Sequence, residues 1–489
     1  MRAVELSLSF RQLIKKNLFL ILSVVLVIIG GFLSGILPLE ATLLSAILLP
    51  GLFVGGVAIV SKRTRSTTIV LILVILPLIS IVKGITGSRF APLVFDLALL
   101  LAYGIYLFEG LVKGKLRFGK LDFLLTILWG LALIGMLNPN VPSVQAGIEG
   151  FRKFIFMSIA FYISRHMLQL KDFRLFIKGL LLVSIPVTLY GIKQFFVMWP
   201  IDYRMIDLAT SSSVTYLMGG WIRPFSTTSG PFQLGLYLMI SLLLLMALLT
   251  KLKLRSSIRI LLIGLFTLQI ALLLMTRTKG NWGGFIVGVI VLFILQSRNP
   301  IRATLRLASF AVIGGTIIFL LYSLSMGETL AVLDDAIFAI THPLEAPTFI
   351  FRIGLWQETV FPALEKQPIL GYGTSSAAEG LRNLYLGTNS LYFSSHNLYL
   401  KIWLELGIIG LIVFLGIVGS SLWKGFRQLR KSKIKNTEVT VLLQWGIACV
   451  IAFLVSGLVI PNLDAYPANY YFWLLLGMLS RANTLSVQT

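Results

Sequence analysis

The stretch "SSHNLYLKIWLELGIIGLIVFL", residues 394–415, decides the fold because it passes from polar residues directly into a long apolar run. A predominantly apolar segment of about 20 residues matches the length at which an α-helix crosses a hydrocarbon core of about 30 Å. The polar start carries His396, one of only 3 histidines in the chain. The stretch therefore predicts a membrane-spanning helix that begins near Leu398 and has a histidine at its entrance.

The composition extends this prediction to the whole chain. The 489 residues are 57% hydrophobic and 12% charged, with a mean hydropathy of +0.91, whereas soluble domains carry about 25% charged residues. These values exclude a soluble globular protein and predict a polytopic membrane protein. The single cysteine, Cys449, excludes an intrachain disulfide and a cysteine-based metal cluster.

Hydropathy predicts an all-α integral membrane protein of about 14 transmembrane helices, within a range of about 12 to 14. The first apolar run, Leu18 to Leu37, is too long for a cleaved signal peptide and is expected to remain as the first span. Residues 1–489 are thus expected to form a single polytopic membrane domain. The predicted spans are centred near residues 28, 50, 75, 99, 130, 156, 185, 241, 267, 289, 315, 411, 450 and 473.

The distribution of basic residues predicts the orientation of these spans. With the N-terminus inside, the cytoplasmic connections hold most of the 42 Lys and Arg residues, as the positive-inside rule requires. Both the N-terminus and the C-terminus are therefore expected in the cytoplasm. Because the net charge of +23 is divided among many short connections, it does not form the basic face of a nucleic-acid-binding protein. No nucleic-acid partner is expected.

Two long segments are predicted on the outer side. Residues 199–231 form the first long extracytoplasmic loop, and residues 326–399 form a larger one. Loops of this length are usually either functional or disordered. In the larger loop, "FIFRIGLWQETVFPALEKQPILGYG" (residues 349–373) has apolar and aromatic residues at helical spacing. We expect short helices there, including an amphipathic helix that lies on the outer membrane surface.

His396 lies where the larger loop meets the next span. Its plainer interpretation is an interface histidine that is satisfied by water and by the backbone. Its chemical interpretation is a general base, because an imidazole with a pKa near about 6.5 accepts a proton from a hydroxyl at neutral pH. Asn397 is then placed to orient the ring or to bind substrate.

Three arginines are predicted on the same outer side as His396. Arg277 and Lys279 lie in the short turn "TRTKG", Arg352 begins the loop helix, and Arg223 lies in "RPFSTTSGP". Such arginines are often snorkelling anchors at a membrane interface. The planar fork of arginine also binds phosphate oxygens, which a lipid-linked diphosphate presents at this depth.

Aromatic and hydroxyl side chains accompany the arginines. Trp356 and Tyr392 have two interpretations, since they either belong to the aromatic belt of the membrane or stack on sugar faces. The hydroxyls from Ser226 to Ser229 offer groups for a sugar or an oxyanion. The sequence shows neither metal-ligand spacing nor a glycine-rich nucleotide loop, so no metal and no cofactor is expected.

Four segments resemble the O-antigen ligase and O-antigen polymerase superfamily of bacterial membrane glycosyltransferases. They extend from residue 223 to residue 415 in the order and spacing of that family. The segments are "RPFSTTSGPFQLGLYL" (223–238), "TRTKGNWGGFIVG" (276–288), "FRIGLWQETVFPALEKQPILGYG" (351–373) and "SSHNLYLKIWLELGIIGLIVFL" (394–415).

The resemblance implies a GT-C-type fold and a metal-independent glycosyltransferase in the bacterial cytoplasmic (inner) membrane. Its donor would be a glycan linked to undecaprenyl diphosphate, and its acceptor a sugar hydroxyl of a glycan or lipid-linked molecule on the outer face. The implied partners also include the lipid bilayer and a chain-length regulator or flippase. Residues 326–399 would be the catalytic loop.

The resemblance also implies roles for individual residues. His396 would be the base that acts on the acceptor hydroxyl, while Arg277 and Arg352 would hold the diphosphate leaving group. These three residues are the expected catalytic residues. The residues expected to bind substrate are Arg223, Lys279, Asn397, Trp356 and Tyr392.

The sequence leaves several functions open. A polymerase of a cell-surface polysaccharide is favoured by the number of predicted spans, and the alternative is an O-antigen ligase that transfers the glycan to lipid A-core or to a protein. A flippase of lipid-linked oligosaccharides would place ionisable residues inside its spans. Asp96 is nearly the only acid inside a predicted span, so the enzyme is favoured over the flippase. A structural scaffold would predict no consequence of changing His396.

Overall fold

A computed structural model describes most of the chain between residues 61 and 485. The described ranges are 61–87, 91–116, 118–208, 217–218, 221–252, 254–297, 345–378, 380–431 and 437–485, with isolated positions at 59, 301, 308, 315–316, 338 and 341–342. The predicted spans centred near residues 28 and 50 lie outside these residues, as do most of the span centred near residue 315 and most of the segment 326–344.

The described ranges are α-helical apart from one short antiparallel hairpin, in which β1 (Leu217–Met218) pairs with β2 (Trp221–Ile222). The helices before the hairpin are α1 (Arg65–Ile75), α2 (Ile79–Thr86), α3 (Ala91–Val112), α4 (Lys120–Gly135), α5 (Val144–Phe154), α6 (Ile159–His166), α7 (Leu170–Phe196) and α8 (Pro200–Asp207). Those after it are α9 (Pro231–Lys251), α10 (Ser256–Met275), α11 (Lys279–Gln296), α12 (Pro347–Leu355), α13 (Phe361–Lys366), α14 (Leu398–Arg430), α15 (Thr437–Ser456), α16 (Ala468–Ser480) and α17 (Ala482–Leu485).

Within the described ranges, 8 helical segments are long and apolar enough to cross a membrane, and the chain is a multi-pass membrane protein. Each of them coincides with a predicted span. They are Arg65–Ile85, Pro92–Val112, Leu170–Phe196, Pro231–Lys251, Ser256–Met275, Lys279–Gln296, Leu398–Arg430 and Thr437–Ser456.

Helices also lie at the predicted centres near residues 130, 156 and 473, but they are shorter or broken. The helix α4 has 16 residues and α16 has 13. Between α5 and α6 the chain forms a short 3₁₀ turn, Phe156–Ser158. The total of about 14 spans remains a prediction.

The centre of the bundle is formed by α9, α15 and α16. In α16 every residue is buried, and α9 and α15 are buried along most of their lengths. Cross-helix hydrogen bonds satisfy large polar rings in this region, since Trp445 Nε1 donates to the Ile240 carbonyl at 3.2 Å and the Tyr471 hydroxyl donates to the Leu73 carbonyl at 2.8 Å. These helices form the inner wall against which the outer segments rest.

The long helix α14 is interrupted at Gly407. The backbone there has φ 68° and ψ −178°, a region that is open to glycine and closed to other L-residues. A Cβ atom on Gly407 would lie 1.8 Å from the carbonyl oxygen of Ile369. The predicted span that begins near Leu398 therefore consists of two helices, residues 398–406 and residues 408–430.

The described part of the larger loop, which is predicted on the outer side and which we call the outer loop, docks into this interruption. The carbonyls of Leu404 and Glu405 accept hydrogen bonds from the Tyr372 amide at 2.6 Å and the Gly373 amide at 3.2 Å. These carbonyls would have bonded within a continuous helix, so the loop supplies the donors that the break removes. The loop and α14 are consequently one structural unit.

The other side of the loop rests on α4 and on the connection from α4 to α5. The Thr374 hydroxyl donates to the Ala132 carbonyl at 2.6 Å. The Asn140 amide forms a reciprocal pair with the backbone of Leu391, with distances of 2.9 and 2.6 Å. The helical segment predicted in this loop is present as α12, a π turn (Trp356–Val360) and α13.

Candidate functional site

His396 occupies the position immediately before the N-cap of α14. Its φ of 45° lies in the left-handed region, which non-glycine residues seldom adopt and which is enriched at functional sites. The imidazole Nε2 lies 3.1 Å from the Ser394 hydroxyl. The loop therefore ends in a strained turn at the residue that carries the predicted base.

Asn397 caps α14. Its side-chain oxygen accepts hydrogen bonds from the amides of Tyr399 at 2.8 Å and Leu400 at 3.1 Å, and its side-chain nitrogen donates to the Leu458 carbonyl at 2.9 Å. Both amide atoms are thus engaged by the backbone. This arrangement lets Asn397 fix the position of His396 through the cap of α14, while direct substrate binding by Asn397 remains a prediction.

Arg352 and Trp356 approach His396 from the outer loop. The indole Nε1 of Trp356 donates to the Ser395 carbonyl at 2.7 Å. Burial lowers the pKa of His396 below its usual value, and the charge of Arg352 lowers that pKa further. The imidazole is therefore neutral at neutral pH, which is the form that accepts a proton. We call Arg352 and His396 the loop pair.

Arg277 and Arg223 form a second pair, which we call the turn pair. Arg277 lies between α10 and α11 with a φ of 52°, and Lys279 follows it as the first residue of α11. The Nε atom of Arg223 donates to the Thr276 carbonyl at 3.0 Å. Burial, followed by the charge of Arg277, lowers the pKa of Arg223 to about 10. Both guanidinium groups remain charged at neutral pH, so their proximity favours an anion.

The hydroxyls that follow Arg223 serve the fold. Sequence analysis interpreted them as groups for a sugar or an oxyanion, and for three of them the structure shows this interpretation to be wrong. Each of the three is buried and donates to a main-chain carbonyl: Ser226 to Val187 at 2.6 Å, Thr227 to Pro77 at 2.7 Å and Thr228 to Phe225 at 2.7 Å. Their role is to hold the segment that carries Arg223.

Gln194 is a supporting residue that sequence analysis missed. Its side-chain oxygen accepts hydrogen bonds from the amides of Phe225 at 3.1 Å and Ser226 at 2.5 Å. Its side-chain nitrogen donates to Asp202 at 2.7 Å. The sequence offered one indication, because Gln194 is a polar amide at the end of a predicted span. Polar residues there are energetically unfavourable and are usually functional.

Residues 456–460, between α15 and α16, contact the chain just after His396 and just after Arg277. The Leu398 amide donates to the Gly457 carbonyl at 2.7 Å, immediately after the turn that carries His396. The Ser456 hydroxyl donates to the Asn281 side chain at 2.9 Å, immediately after the turn pair. The residues that follow His396 and Arg277 in the chain thus bond to one short segment, which sequence analysis did not single out.

Tyr392 also contributes to the shape of the outer loop. Its hydroxyl donates to the Ala378 carbonyl at 3.0 Å, and its ring centroid lies 5.5 Å from that of Tyr385. Trp356 is likewise used in the fold through its bond to Ser395. Stacking of either ring on a sugar remains a prediction.

A buried ionic cluster lies in the first helix of α14. Lys401 Nζ is 2.7 Å from Glu405 and 3.2 Å from Asp464, and Glu405 also accepts a hydrogen bond from the Ala377 amide at 3.2 Å. The prediction that Asp96 is nearly the only acid inside a span was therefore wrong. Glu405 is paired in place, and Asp96 is itself paired with an arginine, Arg152, at 2.8 Å.

Comparisons with known proteins identify a family that part of the chain resembles. Residues 264–415 match the O-Antigen ligase family, and this region contains Arg277, Arg352 and His396. A protein from Rickettsia conorii named "Putative polysaccharide ligase" is 26% identical over 206 residues, which cover 41% of this chain and 46% of that protein. A protein of the same description from Rickettsia felis is 24% identical over 212 residues, with the same shares covered. The matched region thus spans about half the length of these relatives.

Proposed function

We propose that this chain, whose residues 264–415 match the O-Antigen ligase family, transfers a glycan from undecaprenyl diphosphate to a sugar hydroxyl on the outer face of the bacterial cytoplasmic membrane. The observation that carries the proposal is the loop pair. The ring centroid of Phe351, the neighbour of Arg352 in the chain, lies 6.1 Å from that of His396, and the charge of Arg352 helps to lower the pKa of the imidazole; both residues lie in the region that matches the family.

His396 is the proposed general base. The acceptor hydroxyl loses its proton to the imidazole as its oxygen forms a bond to the anomeric carbon of the donor glycan. The bond between that carbon and the diphosphate oxygen breaks, and undecaprenyl diphosphate leaves with the bonding electrons. A base with a pKa near or below neutrality suits this step, because it is unprotonated when the acceptor binds.

The arginines are the proposed stabilisers of the leaving group. Negative charge accumulates on the diphosphate as the glycosidic bond breaks, and fixed cations placed in advance lower the energy of that state. Arg352 acts on the base through its charge, and Arg277 and Arg223 supply two further guanidinium groups in this proposal. Lys279 adds a cation to the same turn. No metal ion is required for this charge balance.

The remaining predicted site residues act as positioning residues in this proposal. Asn397 holds the turn at His396 through its cap, and Trp356 holds the carbonyl of Ser395. Tyr392 stabilises the wall of the outer loop. Their substitution should alter the rate of transfer through the placement of His396.

The polymerase and ligase activities differ in the acceptor. A polymerase is favoured by the number of predicted spans. A ligase is favoured by the names of the two Rickettsia relatives, which describe polysaccharide ligases. The length of the product distinguishes them, because a polymerase yields a ladder of chain lengths on the lipid carrier and a ligase yields a single transfer to a different acceptor.

The test is glycan transfer by purified protein in lipid bilayers, with a polyprenyl-diphosphate oligosaccharide as donor and a chelator present. His396→Ala should abolish transfer and Arg352→Ala should lower its rate strongly, while each variant elutes and unfolds as the wild type does. His342→Ala is the matched control, because His342 is an exposed histidine before the same outer loop helix and its loss should leave the rate unchanged.

Three other outcomes would contradict the proposed function or one part of its mechanism. Transfer at the wild-type rate by His396→Ala would remove the base from the mechanism. Loss of transfer on addition of chelator would show that a metal takes part. If the wild type joins no glycan but moves the lipid-linked donor across the bilayer, the chain is a flippase.

A further inference from the structure

An apolar turn of the outer loop is exposed to the surroundings of the protein. Ile369 and Leu370 are 58% and 66% exposed, and they follow the exposed polar residues Glu365, Lys366 and Gln367. Single exposed aliphatic residues are normal on protein surfaces. Two adjacent ones form an apolar surface whose removal from water is favourable, so the position of this turn is informative.

The turn is held rigidly at the break in α14. The Pro368 carbonyl accepts hydrogen bonds from the Ile408 amide and from the indole Nε1 of Trp403, each at 2.9 Å. The absence of a side chain on Gly407 lets the Ile369 carbonyl approach the helix backbone directly. The exposed side chains of the turn therefore have a defined place beside the first residue of the second helix.

The second helix of α14 presents a lipid-facing stripe that continues from this turn. Its most exposed large apolar residues are Ile409, Ile412, Leu415 and Trp423, at 39%, 62%, 44% and 64% exposure. At 100° per residue these positions fall within about one third of the helix circumference. The turn is bonded to Ile408, next to the first residue of the stripe, so one apolar surface runs from the loop onto the span.

The length of the second helix also leaves room for the turn within the bilayer. The uncharged run from Ile408 to Leu422 rises about 22 Å at 1.5 Å per residue, whereas the hydrocarbon core is about 30 Å thick. Trp423 and Lys424 mark the inner end of this run, since Trp and Lys favour the interface. The uncharged run is therefore about 8 Å shorter than the hydrocarbon core is thick. The difference lies at the end of the run opposite Trp423, where Trp403 and the turn are found.

We propose that Pro368, Ile369 and Leu370 form a lip of the outer loop that is embedded in the acyl chains of the outer leaflet. Residues 365–367 then lie at the level of the lipid headgroups, where the Lys366 ammonium can pair with phosphate. The lip extends the lipid-facing surface of α14 across the break. Because the same loop carries Arg352 and leads to His396, the lip fixes the height of the loop pair relative to the membrane surface.

The lip can be tested by single-cysteine labelling of the full chain in lipid vesicles. The native Cys449 is buried and is first replaced by Cys449→Ala. Ile369→Cys and Leu370→Cys are then labelled separately with an environment-sensitive fluorophore. We expect blue-shifted emission, quenching by lipids brominated in the upper acyl chain, and at least about threefold protection from aqueous iodide relative to an exposed label.

Matched controls come from the same chain. Leu386→Cys replaces a leucine of the same outer loop that is 64% exposed and is not bonded to α14, and its label should be quenched by iodide and not by brominated lipid. Gln367→Cys should also be reached by iodide, whereas Ile412→Cys should report the lipid-facing stripe.

The labelling experiment distinguishes a lip in the membrane from a lip in water. If the labels at positions 369 and 370 behave like the label at 386, the lip is in water and the proposal is wrong. If Ile369→Cys prevents folding because of its proximity to Gly407, the Leu370→Cys label decides the question alone. The measurement needs no glycan transfer, so its result is independent of whether the proposed enzymatic function holds.

Discussion

The indole nitrogen of Trp356 donates a hydrogen bond of 2.7 Å to the carbonyl of Ser395, the residue that precedes His396 in the chain. This bond joins the helical part of the outer loop to the strained turn at the imidazole. The helix that carries Arg352 and the turn that carries His396 are thereby fixed to each other.

We expect Trp356→Phe to lower kcat for glycan transfer by about fivefold, because a net loss of about 1 kcal/mol for one hydrogen bond corresponds to that factor in a rate. The aromatic packing is retained, so the midpoint of thermal unfolding should change little. Trp129→Phe removes a comparable indole bond, of 2.7 Å to Ser158, away from the site and should leave kcat unaltered. Equal effects of the two substitutions on kcat would contradict a positioning role for Trp356.

The pH dependence of transfer should report the charge of Arg352. In the wild type, burial and Arg352 both lower the pKa of His396, so the neutral base persists to lower pH and activity falls only when the pH drops through the lowered pKa. Arg352→Met removes the second cause, so the pKa of His396 rises and the acid limb of kcat/KM moves to higher pH.

The residual activity of Arg352→Met is sufficient for this measurement, since only the position of the acid limb is compared. Arg382→Met is the control, because Arg382 is an exposed arginine of the same loop. Its acid limb should coincide with that of the wild type. An acid limb that stays in place in Arg352→Met would mean that the titrating group is not His396.

The buried ion cluster of Lys401, Glu405 and Asp464 should contribute strongly to the stability of the protein. Lys401→Met leaves Glu405 and Asp464 buried without their cation, and removing one partner of a buried ion pair costs roughly 3–5 kcal/mol. We expect a large fall in the midpoint of thermal unfolding. This midpoint is measured by light scattering or by tryptophan fluorescence.

Two variants calibrate this effect. Arg174→Met breaks an ion pair with Glu438 whose side chains are 47% and 43% exposed, and such pairs contribute about 0–1 kcal/mol. The combined variant Lys401→Met, Glu405→Leu, Asp464→Asn removes all three charges and should be less destabilised than Lys401→Met alone. A triple variant that is less stable than the single one would mean that packing of these side chains, and not charge, sets their contribution.

Gly407→Ala should be strongly destabilising. The added Cβ atom meets the Ile369 carbonyl at 1.8 Å, and the positive φ is unfavourable for alanine. We expect a loss on the order of 3 kcal/mol or more, measured as a fall in the thermal midpoint. Gly419→Ala, in the second helix of α14 with open space around its Cβ position, should be neutral or stabilising by up to about 1 kcal/mol. Similar midpoints for the two variants would exclude a close contact between the loop and the break.

The sequence predicted those features that depend on local composition. The length of an apolar run such as Pro231–Lys251 is sufficient to predict a span, because the bilayer thickness sets the required length. His396 and Arg277 stood out because a histidine or arginine at the edge of an apolar run is uncommon. The structure places both at strained turns, and no feature of the sequence predicted their positive φ values.

The features that were missed depend on contacts between residues distant in the chain. The break at Gly407 could not be predicted, because a glycine inside an apolar run is common in membrane helices and only the docking of Ile369 explains it. Gln194 meets Ser226 across 32 residues, and Asn397 meets Leu458 across 61. Roles such as capping and loop support follow from these contacts and not from residue type.

The hydrophobic cluster beneath the outer loop has a practical consequence for immunology and protein production. The loop contributes Val360, Tyr372 and Phe393 to this cluster, while α14 contributes Leu404. A recombinant fragment that contains only the loop would lack part of its own interior and would not display native epitopes. Antibodies that recognise the folded surface must therefore be raised against the full chain in a membrane mimetic.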